Sequence, residues 1–287
     1  MTNIVLVGAS LLTPYKYHFF NNGIIVATVA GTLCGVLGVF VVLRGMSYIG
    51  HGLSHAVFGG AAASAVMQIN YFVGAGVWGV ASGVLIGRIA RRRIIGADAA
   101  IGVVTTASFA LGLALLNRYG QAKKSIEAVL FGSVLGVRTS DIVAVCIVAV
   151  CVVIIVTLMY RRFLFATFDP EVAQVTGVKV AWVEVLLMVM LSLTILVTMR
   201  VIGTLLISAL LVIPASIARM LTNSFAKMLW ISPIIGASSA FVGMNLAYHL
   251  DTSASATIIL VGTAVFIVVY ATTGIRGRSR IANIHHV

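Results

Sequence analysis

Charge is what this chain has least of. In 287 residues there are 7 Asp and Glu against 19 Lys and Arg, and the charged fraction is 9%. A soluble domain carries roughly a quarter. With 61% hydrophobic residues and a mean hydropathy of +1.13, a water-soluble globule is excluded and an all-α integral membrane protein expected. The scarcity of acid also weighs against a carrier driven by an ion gradient. Such carriers use intramembrane carboxylates as relays, and here only Glu184 lies in an apolar run, near its end. Cysteine is rare too. Cys34, Cys146 and Cys151 all fall in apolar stretches without a Cys-x-x-Cys spacing, so a disulfide framework or thiolate metal site is not expected, and they read as small core residues. No Gly-x-x-x-x-Gly-Lys-[Ser/Thr] phosphate loop occurs, so ATP hydrolysis, if used, belongs to another polypeptide. No Ser/His/Asp constellation marks an enzyme. The N-terminus has neither a basic start nor a small-residue cleavage site, so no removable signal peptide is expected.

What is present is a series of hydrophobic segments, roughly 22–43, 47–68, 71–90, 97–116, 140–160, 181–199, 201–219, 228–248 and 254–273. At about 20 residues per crossing, eight or nine spans fill the chain and leave no room for a soluble domain. The organisation expected is an N-terminal segment 1–21, one transmembrane domain 22–273 and a basic cytoplasmic tail 274–287. The second segment is rich in Gly, Ala and Ser and holds two histidines, so it should pack against protein rather than lipid. Residues 128–136, apolar but short, read as an interfacial or re-entrant hairpin. Pro214 is expected to bend or end the seventh segment.

The net charge of +12 reads as cytoplasmic loops rather than nucleic-acid binding. A cytoplasmic C-terminus puts Arg44, Arg88, Arg91, Arg92, Arg93, Arg161, Arg162, Lys179, Arg219, Lys227, Arg276, Arg278 and Arg280 inside. Lys16, Arg118, Lys123, Lys124, Arg138 and Arg200 are left outside. The asymmetry favours that orientation.

Two imidazoles carry the chemistry. His51 and His55 stand four residues apart, on one face of a helix, where they can grip a transition metal. Packing histidines bonded to a neighbouring helix would satisfy the same spacing. Ser54 and Tyr48 are candidates for supporting oxygens. Glu184 reads as a helix-start acid, and His249 and Asp251 as a solvated outer loop or a receptor contact. In Phe168-Asp169-Pro170-Glu171, Asp169 is a good N-cap, Pro170 a good first helical residue and Glu171 dipole-compatible, with Gly177 a stop. The stretch from Val212 to Lys227 reads as a short amphipathic helix joining two spans, an element suited to docking on a soluble partner or lying at the interface.

Three stretches together resemble the manganese/zinc permease family of ATP-binding-cassette importers, the ABC-3 metal permeases. They are Arg44-Gly-Met-Ser…Gly50-His51-Gly-Leu-Ser54-His55-Ala-Val, Phe168-Asp-Pro-Glu-Val-Ala-Gln-Val-Thr-Gly-Val, and Val201-Ile-Gly-Thr-Leu-Leu…Pro214-Ala-Ser-Ile-Ala-Arg219. The likeness runs from about residue 20 to 273. It implies a type II importer permease bundle in a bacterial plasma membrane, surrounded by lipid and paired with an identical or sister permease. Two cytoplasmic ATPases would drive it and an extracytoplasmic metal receptor would feed it. It implies no permanently bound cofactor, only a transported divalent ion of the zinc or manganese class. It further implies His51 and His55 as metal ligands, and ATPase coupling through Pro214, Ala215, Arg219, Asn223 and Lys227. The inner-loop motif is Asp169, Pro170, Glu171 and Gly177. One departure stands out: the family usually has Asp where this chain has His51. Losing the carboxylate should shift preference from Mn²⁺ toward Zn²⁺, Cu or Ni and make binding more sensitive to acid, because a protonated imidazole cannot bind metal.

Overall fold

The computed structural model describes residues 13–91, 94–119 and 137–284, with the side chains of 200 and 274–284 outside the description. The 128–136 hairpin, Arg92, Arg93, the tail arginines and the terminal His285 and His286 therefore lie outside the described residues or side chains. After a 3-10 turn at Thr13–Lys16 come ten α-helices. They are α1 (His18–Leu43), α2 (Ile49–Val66), α3 (Tyr71–Arg91), α4 (Ala97–Tyr119), α5 (Thr139–Leu158), α6 (Tyr160–Phe168), α7 (Pro170–Val175), α8 (Val180–Leu221), α9 (Phe225–His249) and α10 (Ala254–Ile284). Among the described residues, eight stretches are long and apolar enough to cross a membrane: α1, α3, α4, α5, the two arms of α8, α9 and α10. This is a multi-pass membrane protein.

Small residues decide how the helices meet. On α1, Gly31, Gly35 and Gly38 recur at helical spacing along one face. A Cβ on Gly31 would run into the Gly236 carbonyl of α9, and one on Gly38 into the Leu211 carbonyl of α8. Between them the Ser232 hydroxyl donates to the Gly35 carbonyl at 2.7 Å. These contacts make α1 the central post of the bundle, most of it buried. Neighbours alternate in direction. Gly31 meets Gly236 and Gly35 meets Pro233, so α1 and α9 are antiparallel; Gly60 meets Ala75 and Trp78 while Gly79 meets Val57, so α2 and α3 are too.

The expected segment boundaries hold closely, the division of α8 near residue 200 included, but the break expected at Pro214 does not occur. The helix runs unbroken through Pro214 to Leu221, and the non-helical residue is Gly203 (φ 76, ψ 164). Gly203 takes a conformation open to glycine and costly for other residues. The arm before it packs along α3, Leu196 beside Gly76 and Met188 beside Gly87, while the arm after it runs with α10, Ile213 beside Gly262. The chain therefore turns back near Gly203. Pro214 forfeits one backbone hydrogen bond, but Leu211, Ala215, Ile217 and Ala218 are fully buried around it, and that packing keeps the segment helical.

The Val212–Lys227 stretch consequently is not a short amphipathic helix. It is the last turns of α8, a tight turn at 222–224 and the first turn of α9. Its inward side is apolar and packed, leaving no separate amphipathic element to form. The cysteines also separate: Cys34 is buried and Cys146 half-buried, but Cys151 is exposed on α5. The expectation of three core residues fails for Cys151, because a lipid-facing helix accepts the same small side chains as a protein core.

Candidate metal centre

His51 and His55 occupy the first two turns of α2. Their Nε2 atoms stand 3.1 Å apart, with ring centroids at 4.5 Å and planes at 85°. If one ring carries Nε2–H, the contact is a hydrogen bond. With both lone pairs free, the two nitrogens converge on one point. For metal–nitrogen bonds of about 2.1 Å, a separation of 3.1 Å subtends about 95° at the ion, an angle between neighbouring octahedral and tetrahedral positions. His51 is exposed although Gly50 and Gly52 on either side are buried, so its ring points out of the helix packing into open space.

That space is a cavity of about 470 Å³ lined by Tyr48, His51, Gly52 and His55 from the α2 end and by Asp98, Ile101, Gly102, Thr105, Thr106 and Phe109 from α4. Gly50 and Gly52 bring the walls close. A Cβ on Gly52 would lie 2.6 Å from Ile101 Cγ2 and 2.8 Å from Thr105 Cγ2. One on Gly50 would lie 3.4 Å from Ser208 Cα, which places His51 level with the middle of the second α8 arm and His55 one turn, about 6 Å, further along. The Phe109 ring meets the His55 ring edge-on, centroids 4.8 Å apart. His55 Nδ1 is buried without a hydrogen-bond partner.

Of the supporting oxygens expected from sequence, Tyr48 lines the cavity but Ser54 does not. Its hydroxyl donates to the Gly50 carbonyl at 2.7 Å and is fully buried. Three residues on the opposite wall, Asp98, Thr106 and Phe109, escaped the sequence reading. Their signal is the stripe 98, 101, 102, 105, 106 and 109 on one face of α4, with one of the chain's seven acids at its start. Among the described residues no three His, Cys, Asp or Glu side chains cluster closely enough to hold a metal by themselves. The pair by itself offers two ligand atoms, fewer than a closed transition-metal site uses.

A second cavity, about 630 Å³, opens at the basic end of the bundle between Arg44, Arg91, Ala97, Thr167, Pro170, Glu171, Gln174 and Glu184. Arg91 Nε lies 3.6 Å from Glu184 Oε2, so Glu184 pairs with a cation rather than standing as a lone helix-start acid. Arg44 donates from Nε to Thr167 Oγ1 at 3.4 Å. Burial pulls its guanidinium below the ordinary range while Glu184 pushes the other way; the group stays charged. The inner-loop motif folds as its residues suggest. Asp169 Oδ1 accepts from the Val172 amide at 3.0 Å, Pro170 opens α7, and Gly177 ends the motif at φ +79.

The proposed coupling residues divide. Pro214 and Ala215 are buried, whereas Arg219, Asn223 and Lys227 are exposed at the basic end, with Arg219 Nη1 donating to Asn223 Oδ1 at 3.3 Å. His249 and Asp251 sit exposed at the opposite end, Asp251 at φ 50.

Comparisons with known proteins bear on the family and the fold. The ABC 3 transport family matches residues 16–273. The manganese transport system membrane protein MntC of Listeria monocytogenes is 36% identical over 255 residues, 89% of this chain and 91% of that protein. The manganese import system permease protein ScaB of Streptococcus parasanguinis is 37% identical over 255 residues, 88% and 90% of the two chains. Among solved structures, PsaBC from Streptococcus pneumoniae in complex with Fab superposes with a TM-score of 0.80 at 33% identity, covering 91% of this chain and 95% of that one. With the family match spanning nearly every described helix and the relatives aligned over almost their whole length, the chain belongs to the ABC 3 transport family as the membrane-spanning permease of a transport system.

Proposed function

We propose that this chain is the transmembrane subunit of an ATP-driven importer of divalent transition metals, and that His51 and His55 hold the ion in transit. The observation that carries the reading is the convergence of two Nε2 atoms at 3.1 Å on an open cavity, inside a chain of a family whose similar members are manganese permeases. The ion pathway needs a second permease chain: a two-fold partner would set a second histidine pair opposite the first and complete the coordination that one chain lacks. An extracytoplasmic receptor delivers the ion and cytoplasmic ATPases supply the work, since the chain has no phosphate loop. A gradient-driven carrier gains no support, because Glu184 is tied to Arg91 at the bundle's end.

His51 sets the choice of ion. Two neutral nitrogens favour zinc-class ions more than manganese. The test is ATP-dependent uptake of Zn²⁺ and Mn²⁺ in competition by the reconstituted complex. Wild type is expected to prefer Zn²⁺, and His51→Asp to raise the Mn²⁺ to Zn²⁺ ratio by roughly 10-fold. An unchanged ratio defeats the assignment.

Coupling to the ATPase is placed on α6 and α7 together with the exposed turn at Arg219, Asn223 and Lys227. The short helices leave Val175 89% exposed at the basic end. They also link to the histidine-bearing helix through Arg44: Thr167 accepts from Arg44, and Arg44 stands seven residues before His51. A push on α6 and α7 therefore reaches the start of α2. Val175→Glu should leave metal binding intact while uncoupling ATP hydrolysis from uptake. Normal coupling in that variant would return the role to the 219–227 turn alone.

A further inference from the structure

Asp98 is the one acidic side chain lining the histidine cavity, and its position gives it a task. On α4 it begins the stripe that continues through Ile101, Thr105 and Phe109. Gly52 packs against Ile101 and Thr105, and His55 against Phe109. Asp98 therefore lies about one to two turns from the histidines toward the basic end of the bundle, too far to share an ion with them in this conformation. Its neighbour Ala97 lines the other cavity, the one bounded by Arg44, Arg91 and Glu184. The first turn of α4 thus borders both chambers.

We propose that Asp98 is the inward receiving ligand of the pathway, taking the cation from the histidine pair before it enters the inner chamber. The chemistry motivates the order. Two neutral nitrogens bind a divalent ion without cancelling any of its charge, and in the inner chamber Glu171 and Glu184 only balance Arg44 and Arg91, leaving no net negative charge to draw it in. An anionic oxygen between the two supplies that charge and the hard donor missing at position 51. The inference rests on reading the chain as a metal permease. A helix-start acid with no transport role is the competing account, since a carboxylate is favourable at that position in any helix.

The two accounts separate in the reconstituted permease–ATPase complex, with Mn²⁺ and Zn²⁺ as probes and Asp98→Asn and Asp98→Glu as variants. The expected result is a maximal uptake rate lowered roughly 10-fold in Asp98→Asn, more for Mn²⁺ than for Zn²⁺. The half-saturating metal concentration should stay within about 2-fold of wild type, the thermal melting should be unchanged, and Asp98→Glu should recover most of the rate. A wild-type rate in Asp98→Asn overturns the proposal. Loss of metal binding at the histidine pair in that variant overturns it too, because it would make Asp98 part of one mixed site rather than a second station. A wild-type complex that imports neither ion with ATP brings down the transport reading itself, and this inference with it.

Discussion

Helices α2 and α5 reverse the usual relation between hydrophobicity and burial. The window that marks α5 as a span has a mean hydropathy of 3.1, the highest in the chain, yet only 22% of it is buried. Its Val143, Ile147, Val150 and Ile154 face outward. Helix α2 does not reach the apolarity expected of a span, and still Gly50, Gly52, Leu53, Ser54, Ala56, Val57, Gly59 and Gly60 are buried. Lipid is as apolar as leucine, so outward-facing helices need only be greasy. The inner helix must instead approach its neighbours closely and keep polar groups off the lipid, and that calls for glycine, alanine, serine and histidine.

Several substitutions would break this contrast or sharpen it. The largest effect is expected at the histidines. His51→Ala or His55→Ala should lower ATP-dependent metal uptake in proteoliposomes by roughly 100-fold with little change in melting temperature, since a ligand counts for at least as much as its supporting shell. Next comes Gly59→Val on α2. Its Cβ would collide with the Ser108 carbonyl of α4, and the thermal unfolding of the detergent-solubilised protein should show a loss of about 3 kcal/mol. Gly203→Ala should cost less, about 1–3 kcal/mol, because it strains one residue rather than parting two helices; the same melting experiment measures it. The smallest effect belongs to α5. Val150 is 58% exposed, and Val150→Leu should stay within about 0.5 kcal/mol. A large loss there would mean that α5 packs against another chain.

Much of this was legible along the chain where the physics is local. A side chain capping its own helix, as Asp169 does, depends on residues three apart, and so does the stop at Gly177. The histidine pair was legible for the same reason, since i and i+4 meet on any helix. A break was expected at Pro214 because proline's local penalty is visible in sequence and its compensation is not. Helices α1 and α10, from opposite ends of the chain, pack on this arm at Leu211 and Ile213. Asp98 was missed because an acid at a helix start looks ordinary until α2 is laid beside it.

What the sequence alone determined is the membrane class, the apolar segments and the two imidazoles on one face. Each follows from composition or from a repeat within a few residues, so no distant partner is needed. Only the tertiary structure decided which polar groups share a chamber, that Pro214 and Ala215 are walled in, and that Arg44 is held by Thr167 more than 100 residues away. Those outcomes depend on which glycine faces let which helices touch, a property of pairs of helices that no single stretch of residues contains.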